Sequence, residues 1–303
     1  MANLFLTRKC NLKCPYCFAD EFVNKENEEY SMENFHKAIN FIIYTNGLEL
    51  HKYINDLKFR KVNMLINCNP PSDIGEKRFN QLKDNITLLK ERGINNYNLG
   101  INLYSKDMDY AFIFDLLKIS DKHNLRFSTA LPNVEKETIC NPLDSFMDFK
   151  PFLFQFFEDC IKNEIVPSND CNAIPQCLLT VDEKRIQLKL SLLAEKYLLQ
   201  DTIRTAHTCS PVIDILPDLT AVRCFGLSKY TKVPIEKYKN LSNLRTYFIN
   251  QIDLYSKLSF VSAGCNDCSM RMLDKCGLCY TYKIKQSEEL KDYIAHNSIS
   301  FRE

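Results

Sequence analysis

Cys10-Asn11-Leu12-Lys13-Cys14-Pro15-Tyr16-Cys17 sets three thiols in one short loop, with three residues in the first gap and two in the second. That spacing lets a backbone wrap around a single metal centre and offer it three sulfurs. Two kinds of centre suit it: a zinc ion with one ligand other than Cys, or an iron–sulfur cluster with one iron left open. The run before the loop, Asn3-Leu4-Phe5-Leu6-Thr7, reads as a short buried strand. The thiols therefore follow a strand's C-terminal end, where binding loops of α/β folds lie.

Outward from that loop, strand and helix patterns alternate. Ser31 can cap a helix through Phe35, Ala38, Ile39 and Ile42. Phe41-Ile42-Ile43-Tyr44 then runs into the turn Thr45-Asn46-Gly47. A short helix near Tyr53–Leu57 precedes a strand at Lys61–Asn67. Glu76–Arg92 is a helix with Phe79, Leu82, Ile86 and Leu89 on one face and Gly93 just past its end. Asn98–Tyr104 and Leu125–Leu131 read as strands, separated by a helix bearing Phe112, Leu116 and Ile119 that Asp107 can cap. This alternation predicts a parallel sheet or an open (β/α) barrel.

The middle of the chain reads as helical, with Pro151 suited to the first position of a helix carrying Phe152, Phe156 and Ile161. Asp182 can cap another, with Ile186, Leu190 and Leu193 inward. The stripe Phe152, Phe154, Phe156 and Phe157 reads as core. Beyond His207 the pattern changes to a hairpin, Val212–Leu216 and Ala221–Phe225 around Pro217-Asp218-Leu219-Thr220. A late helix follows, marked by Leu244, Phe248, Ile252 and Tyr255. The domain division is 1–135, 136–205 and 206–303.

A formal charge of +1 and a pI near 7.4 provide no basic stripe for nucleic acid and no acidic tail for a basic partner. No signal-peptide pattern precedes the first strand, and no apolar run is long enough to span a bilayer. The fourteen Cys of such a chain point to metal or redox chemistry in a reducing compartment, the cytoplasm. Six of them fall late: Cys209, Cys224, Cys265, Cys268, Cys276 and Cys279. Cys265/Cys268 and Cys276/Cys279 are paired CxxC units, which suit a zinc knuckle as readily as an iron–sulfur site. Cys171 and Cys177 lie upstream, and the eight together match the needs of two Cys-ligated [4Fe-4S] clusters. Cys68, Cys140 and Cys160 have no partner spacing and read as small buried apolar residues.

A CxxxCxxC loop after the first strand, with the aromatic Tyr16 before its last Cys, resembles the signature of the radical S-adenosylmethionine (radical SAM) superfamily. The hairpin bracketed by Cys209 and Cys224, followed by the paired CxxC units, resembles that superfamily's SPASM or twitch extension. The resemblance implies a partial (β/α) barrel of the radical SAM type followed by a small Cys-rich α+β auxiliary-cluster domain. Cys10, Cys14 and Cys17 would hold a [4Fe-4S] cluster whose fourth iron chelates S-adenosylmethionine (SAM). Reduction of that cluster would cleave SAM to a radical that abstracts hydrogen from a peptide, protein or small-molecule substrate. The implied reductant is a donor such as flavodoxin or ferredoxin. Cys177 or Cys171, with Cys209, Cys224 and Cys279, would bind one auxiliary cluster. Cys265, Cys268 and Cys276 would hold the other, with Cys171 as a candidate fourth ligand; the alternatives are a second cluster with an open position, or one auxiliary cluster in place of two.

Two departures from the family stand out. Leu219-Thr220 replaces the Gly of the family's Asp-Gly hairpin turn. The Gly-Gly-Glu-Pro motif that binds the SAM amine is absent, and only residues 18–44 separate the Cys loop from Thr45-Asn46-Gly47. One βα unit is therefore expected to be missing, since a βαβ unit takes about thirty residues or more. The first strand should then pair directly, in parallel, with Ile42–Asn46 in a sheet of about five strands. The remaining candidate SAM contacts are Tyr16, Asn46, Asn67, Asn69, Asn102 and Asn133, each Asn being equally a turn former. The alternative function is a cluster-bearing binding or electron-transfer protein with impaired SAM chemistry.

Overall fold

The computed structural model describes residues 2–4, 10, 12, 41–59, 63–129, 143–169, 174–199, 209, 211–227, 232–254 and 292. The chain forms two compact units. One comprises Met1–Ile43, Leu131–Thr138 and His207–Glu303, and the other Tyr44–Ala130 and Ile139–Ala206.

In the first unit, strand β1 (Ala2–Leu4) pairs in parallel with the start of β2 (Phe41–Thr45), Ala2 opposite Phe41 and Leu4 opposite Ile43. The direct pairing expected from the short intervening segment is therefore present. The Ser31-capped helix lies outside the described residues.

After the short helix α1 (Ile54–Phe59), the second unit holds four parallel strands in the order β6-β5-β4-β3: β3 (Asn63–Asn67), β4 (Tyr97–Leu103), β5 (Asn124–Thr129) and β6 (Val166–Asn169). One face of this sheet is the core. Ile66, Leu99, Ile101, Leu125 and Phe127 are buried on it. Helices α2 (Glu76–Glu91), α3 (Phe112–Ser120) and α4 (Leu143–Lys162) add Phe79, Leu82, Ile86, Ile113, Leu116, Phe156 and Phe157 to the core. The Phe127 ring centroid lies 5.4 Å from that of Phe157 and 5.8 Å from that of Phe156, and Phe154 is buried too. Three of the four Phe of the stripe are therefore core as expected, while Phe152 is half-buried against Tyr110. Cys68 and Cys160 are buried there too. Burial pushes the Cys68 thiol up to about 12 and Cys160 well above the ordinary thiol value, so both stay protonated.

Several expectations are corrected in this unit. Strand β6 occupies a stretch read as helical. Its Pro167 and polar Ser168-Asn169 hide the strand pattern, and Pro is tolerated because, among the described residues, β6 pairs on one side only, with β5. Pro151 sits inside α4 rather than at its start. A mid-helix Pro costs about 3 kcal/mol, but Phe146 and Phe149, buried ahead of it, hold the helix together N-terminal to the proline. Asp107 does not cap α3: the carboxylate of Asp109 takes the Ala111 N–H (2.8 Å) at its entry. Asp182 does not cap α5 (Val181–Lys196). Thr180 does, in a capping box with Glu183.

The other described strands of the first unit form a meander. Strand β7 (Asp214–Ile215) runs parallel to β1 and antiparallel to β8 (Thr220–Val222), which pairs with β9 (Lys232–Pro234). The five parallel strands expected, β1 to β5, are thus present, with β6 added in one unit and β7 to β9 in the other. Helix α6 (Leu241–Phe248) passes into a π-helical turn at Ile249–Asp253. Ile213, Ala221, Leu227, Leu244, Phe248 and Ile252 form this unit's core. Tyr255, placed on that helix from its sequence, lies outside the described residues.

Candidate functional site

The β7–β8 hairpin brings Cys209 and Cys224 to one place. Ile213 N donates to Arg223 O (2.9 Å), and Leu216 N to Thr220 O (2.8 Å), so the chain before β7 meets the chain after β8. The turn is fixed by Asp218, whose carboxylate accepts from Thr220 N (2.9 Å) and Oγ1 (2.6 Å). Leu219 stands there at φ +61°, a left-handed conformation that a Gly would adopt without strain. Leu219 therefore keeps the turn at the cost of backbone strain.

Between the two thiols lies Arg223, 1% exposed. Its Nη1 reaches Cys209 Sγ at 3.4 Å and Cys224 Sγ at 3.9 Å, and Nη2 donates to Cys209 O (2.9 Å) and Cys209 Sγ (3.4 Å). The other edge of the guanidinium meets Asp253, through Nε to Oδ1 and Nη2 to Oδ2 (3.0 Å). This is the fork-to-carboxylate geometry that fixes an Arg in one plane. Burial opposes the Arg223 charge, but Cys209, Asp253 and Cys224 outweigh that opposition and hold its pKa well above the ordinary value. The wider π turn leaves both Ile252 and Asp253 buried, so the carboxylate enters the core with its partner.

Neither Cys209 nor Cys224 is in a disulfide, and both are half-buried. Two sulfurs offered to one buried cation are a donor set that suits an anionic, sulfur-ligated centre such as an iron–sulfur cluster. Cys10 is half-buried in the same unit, and Cys177 is exposed on the short turn Gln176–Leu178 of the other. Cys14, Cys17, Cys171, Cys265, Cys268, Cys276 and Cys279, with Tyr16 and Asn133, lie outside the described residues. Among the described residues no three His, Cys, Asp or Glu side chains converge as a complete metal site.

In the second unit, the sheet face opposite the core is polar, and the candidate Asn residues gather at its strand ends. Registers Gly100↔Arg126 and Asn102↔Ser128 put these four on one face. Ser128 Oγ donates to Asn102 Oδ1, and Arg126 Nη1 reaches Asn102 Oδ1 and Ser128 Oγ at 3.3 Å each. With its oxygen engaged twice, Asn102 keeps its Nδ2 amide to donate to a ligand. Gly100 is open enough for Arg126 to cross it: a Cβ there would stand 3.5 Å from Arg126 Cδ and 3.2 Å from Leu65 Cδ1. Asn67 Oδ1, at the end of β3, is buried without a hydrogen-bond partner among the described residues, and Asn69 beyond it is buried. A buried acceptor in that state loses about 1–3 kcal/mol, which a ligand donor would restore. Asn46 differs from these. Its Oδ1 accepts from Leu48 N (3.1 Å), so it forms the turn before Gly47.

Four residues of these sites escaped the sequence reading: Arg126, Ser128, Arg223 and Asp253. A signal existed for the first two, because Asn124, Arg126 and Ser128 alternate with Leu125 and Phe127. For Arg223 the signal was a charge set among Ala221, Val222 and Cys224. Asp253 carried none beyond one acid beside Ile252.

No protein-family model matches the chain, and no curated protein matches it by sequence. Solved structures do match by fold. Streptococcus suis SuiB, in a crystal structure bound to S-adenosylmethionine, aligns with a TM-score of 0.55 at 11% identity, covering 96% of this chain and 75% of that one. The same protein bound to its precursor peptide SuiA aligns with a TM-score of 0.52 at 11% identity, covering 96% and 73%. At that identity the likeness is one of fold: a mixed α/β chain with a parallel sheet, shared along nearly its whole length.

Proposed function

We propose that the chain is a radical SAM enzyme with an auxiliary iron–sulfur module that modifies a peptide or protein side chain. One observation carries the reading: the Cys10–Cys17 loop follows β1 in a fold that spans 96% of the chain and is shared with a protein seen bound to SAM and to a precursor peptide. Cys10, Cys14 and Cys17 hold the [4Fe-4S] cluster. When bound with SAM, that cluster supplies the 5′-deoxyadenosyl radical that takes hydrogen from substrate.

The protein's own residues bind and aim. Asn102 donates its amide to a ligand carboxylate, held in place by Ser128 and Arg126. Asn67 Oδ1 accepts from a ribose hydroxyl or the SAM amine, and Asn69, Tyr16 and Asn133 complete the contacts. Residues 206–303 form the auxiliary module. Cys209, Cys224, Cys279 and either Cys177 or Cys171 bind one cluster, and Cys265, Cys268 and Cys276 bind a second. A flavodoxin or ferredoxin supplies electrons, and the reducing cytoplasm suits so many thiols.

The direct β1–β2 pairing favours a second reading, a cluster protein whose SAM chemistry is impaired, because it agrees with the loss of the unit that carries the SAM amine motif. Anaerobic reconstitution followed by assay of 5′-deoxyadenosine separates the two. Reductant-dependent 5′-deoxyadenosine, raised by a peptide substrate, supports the enzyme. Iron-replete protein that forms none would leave only the second reading standing.

A further inference from the structure

We propose that Arg223, held by Asp253, is a positioning residue that raises the reduction potential of the cluster bound through Cys209 and Cys224; this rests on the auxiliary-cluster reading above. The geometry is complete within one unit. The guanidinium is 1% exposed, lies 3.4 Å from one sulfur and 3.9 Å from the other, and is locked on its far edge by the Asp253 carboxylate. A guanidinium needs no such arrangement to support a hairpin; an apolar side chain of similar volume fills a core at no loss. What it does supply is N–H donation to ligating sulfur. Each one-electron reduction adds negative charge to a sulfur-ligated cluster, and hydrogen bonds to its sulfurs stabilise that charge, which moves the potential upward. Asp253 sets how much of the Arg223 charge reaches the sulfurs. The pair therefore acts in two directions that can be separated.

The test uses the full chain with Cys10, Cys14 and Cys17 replaced by Ala, so that only iron on the later thiols is read. A one-electron redox titration with dithionite and mediators, followed by electron paramagnetic resonance, gives the potential. In R223M/D253L the charge pair leaves as a unit and the donors with it. Its potential should fall by an amount equal to at least a tenfold change in the ratio of reduced to oxidised cluster at fixed poise, about 59 mV for one electron. In D253N the carboxylate is lost and the guanidinium kept, and the potential should rise. Opposite shifts are what a purely structural role would not produce, and either variant alone gives a signed result if the other fails to fold. Unchanged potentials, or shifts of the same sign, overturn the proposal while leaving the cluster reading intact. Absence of iron from the triple-Ala parent overturns that reading, and this proposal with it.

Discussion

Gly47 shows how little freedom one position has in this protein. It sits at φ +77°, and a Cβ there would come within 2.6 Å of Leu82 Cδ1 and 2.8 Å of Ile66 Cγ2, both buried core atoms. Its carbonyl is also held by Asn85 Nδ2 at 2.7 Å, so the turn cannot move aside. Gly47→Ala meets both penalties: a left-handed conformation that costs an L-residue about 1–2 kcal/mol and overpacking of about 1–3 kcal/mol. A loss of at least 2 kcal/mol, read from the denaturant midpoint at unchanged m-value, is expected. A change below about 0.5 kcal/mol would mean that Leu82 and Ile66 repack freely. At this scale Arg223 makes the complementary point: a charge is tolerated at 1% exposure because each edge of the guanidinium has a partner.

Helix α5 shows the same economy at the scale of an element. Thr180 Oγ1 accepts from Glu183 N (3.3 Å), and Glu183 Oε2 accepts from Thr180 N (2.7 Å). Lys150, on α4, adds its ammonium to Glu183 at 3.0 Å and donates to Leu178 O at 2.9 Å, tying the two helices together. Burial pushes the Glu183 carboxyl up. The Thr180 donors and the Lys150 ammonium outweigh it and hold its pKa below the ordinary glutamate value. A carboxyl whose folded pKa is depressed adds stability above its unfolded pKa and loses it as pH falls through the folded value. Acid should therefore weaken the native protein below the ordinary glutamate range, and Glu183→Gln should flatten that part of a stability–pH profile. An unchanged slope in that variant would remove Glu183 from the acid response. Thr180→Ala should cost about 1 kcal/mol at neutral pH, read from the same denaturation curves.

For the whole molecule the decisive experiment is metal content. Replacing Cys10, Cys14 and Cys17 together by Ala should remove about four irons per chain, the content of one [4Fe-4S] cluster. Iron bound by the later thiols should remain, and with it a sulfide signal. Retention of all the iron would show that the first three thiols are not ligands. Zinc in place of iron would convert the late pairs to a knuckle. Because a small Cys-rich lobe draws folding energy from its metal, Cys224→Ala should also lower the soluble yield.

What the sequence determined by itself is local or periodic. The thiol spacing suits a sulfur-ligated metal centre, and strand and helix alternation placed β2 to β5 and helices α2 and α3 within a few residues. The length between β1 and β2 sufficed to foresee their pairing, since so short a segment leaves room for one crossover. Even the capping box was readable, as Thr180-x-x-Glu183, although Asp182 drew attention first. The tertiary structure alone decided the rest, because those features depend on partners far along the chain. Pro151 stays helical because aromatic residues on both sides of it are buried, and Val166–Asn169 is a strand because β5 offers it an edge. Arg223 and Asp253 are thirty residues apart and become one unit when a hairpin and a π turn converge; neither local propensity nor spacing encodes such a meeting.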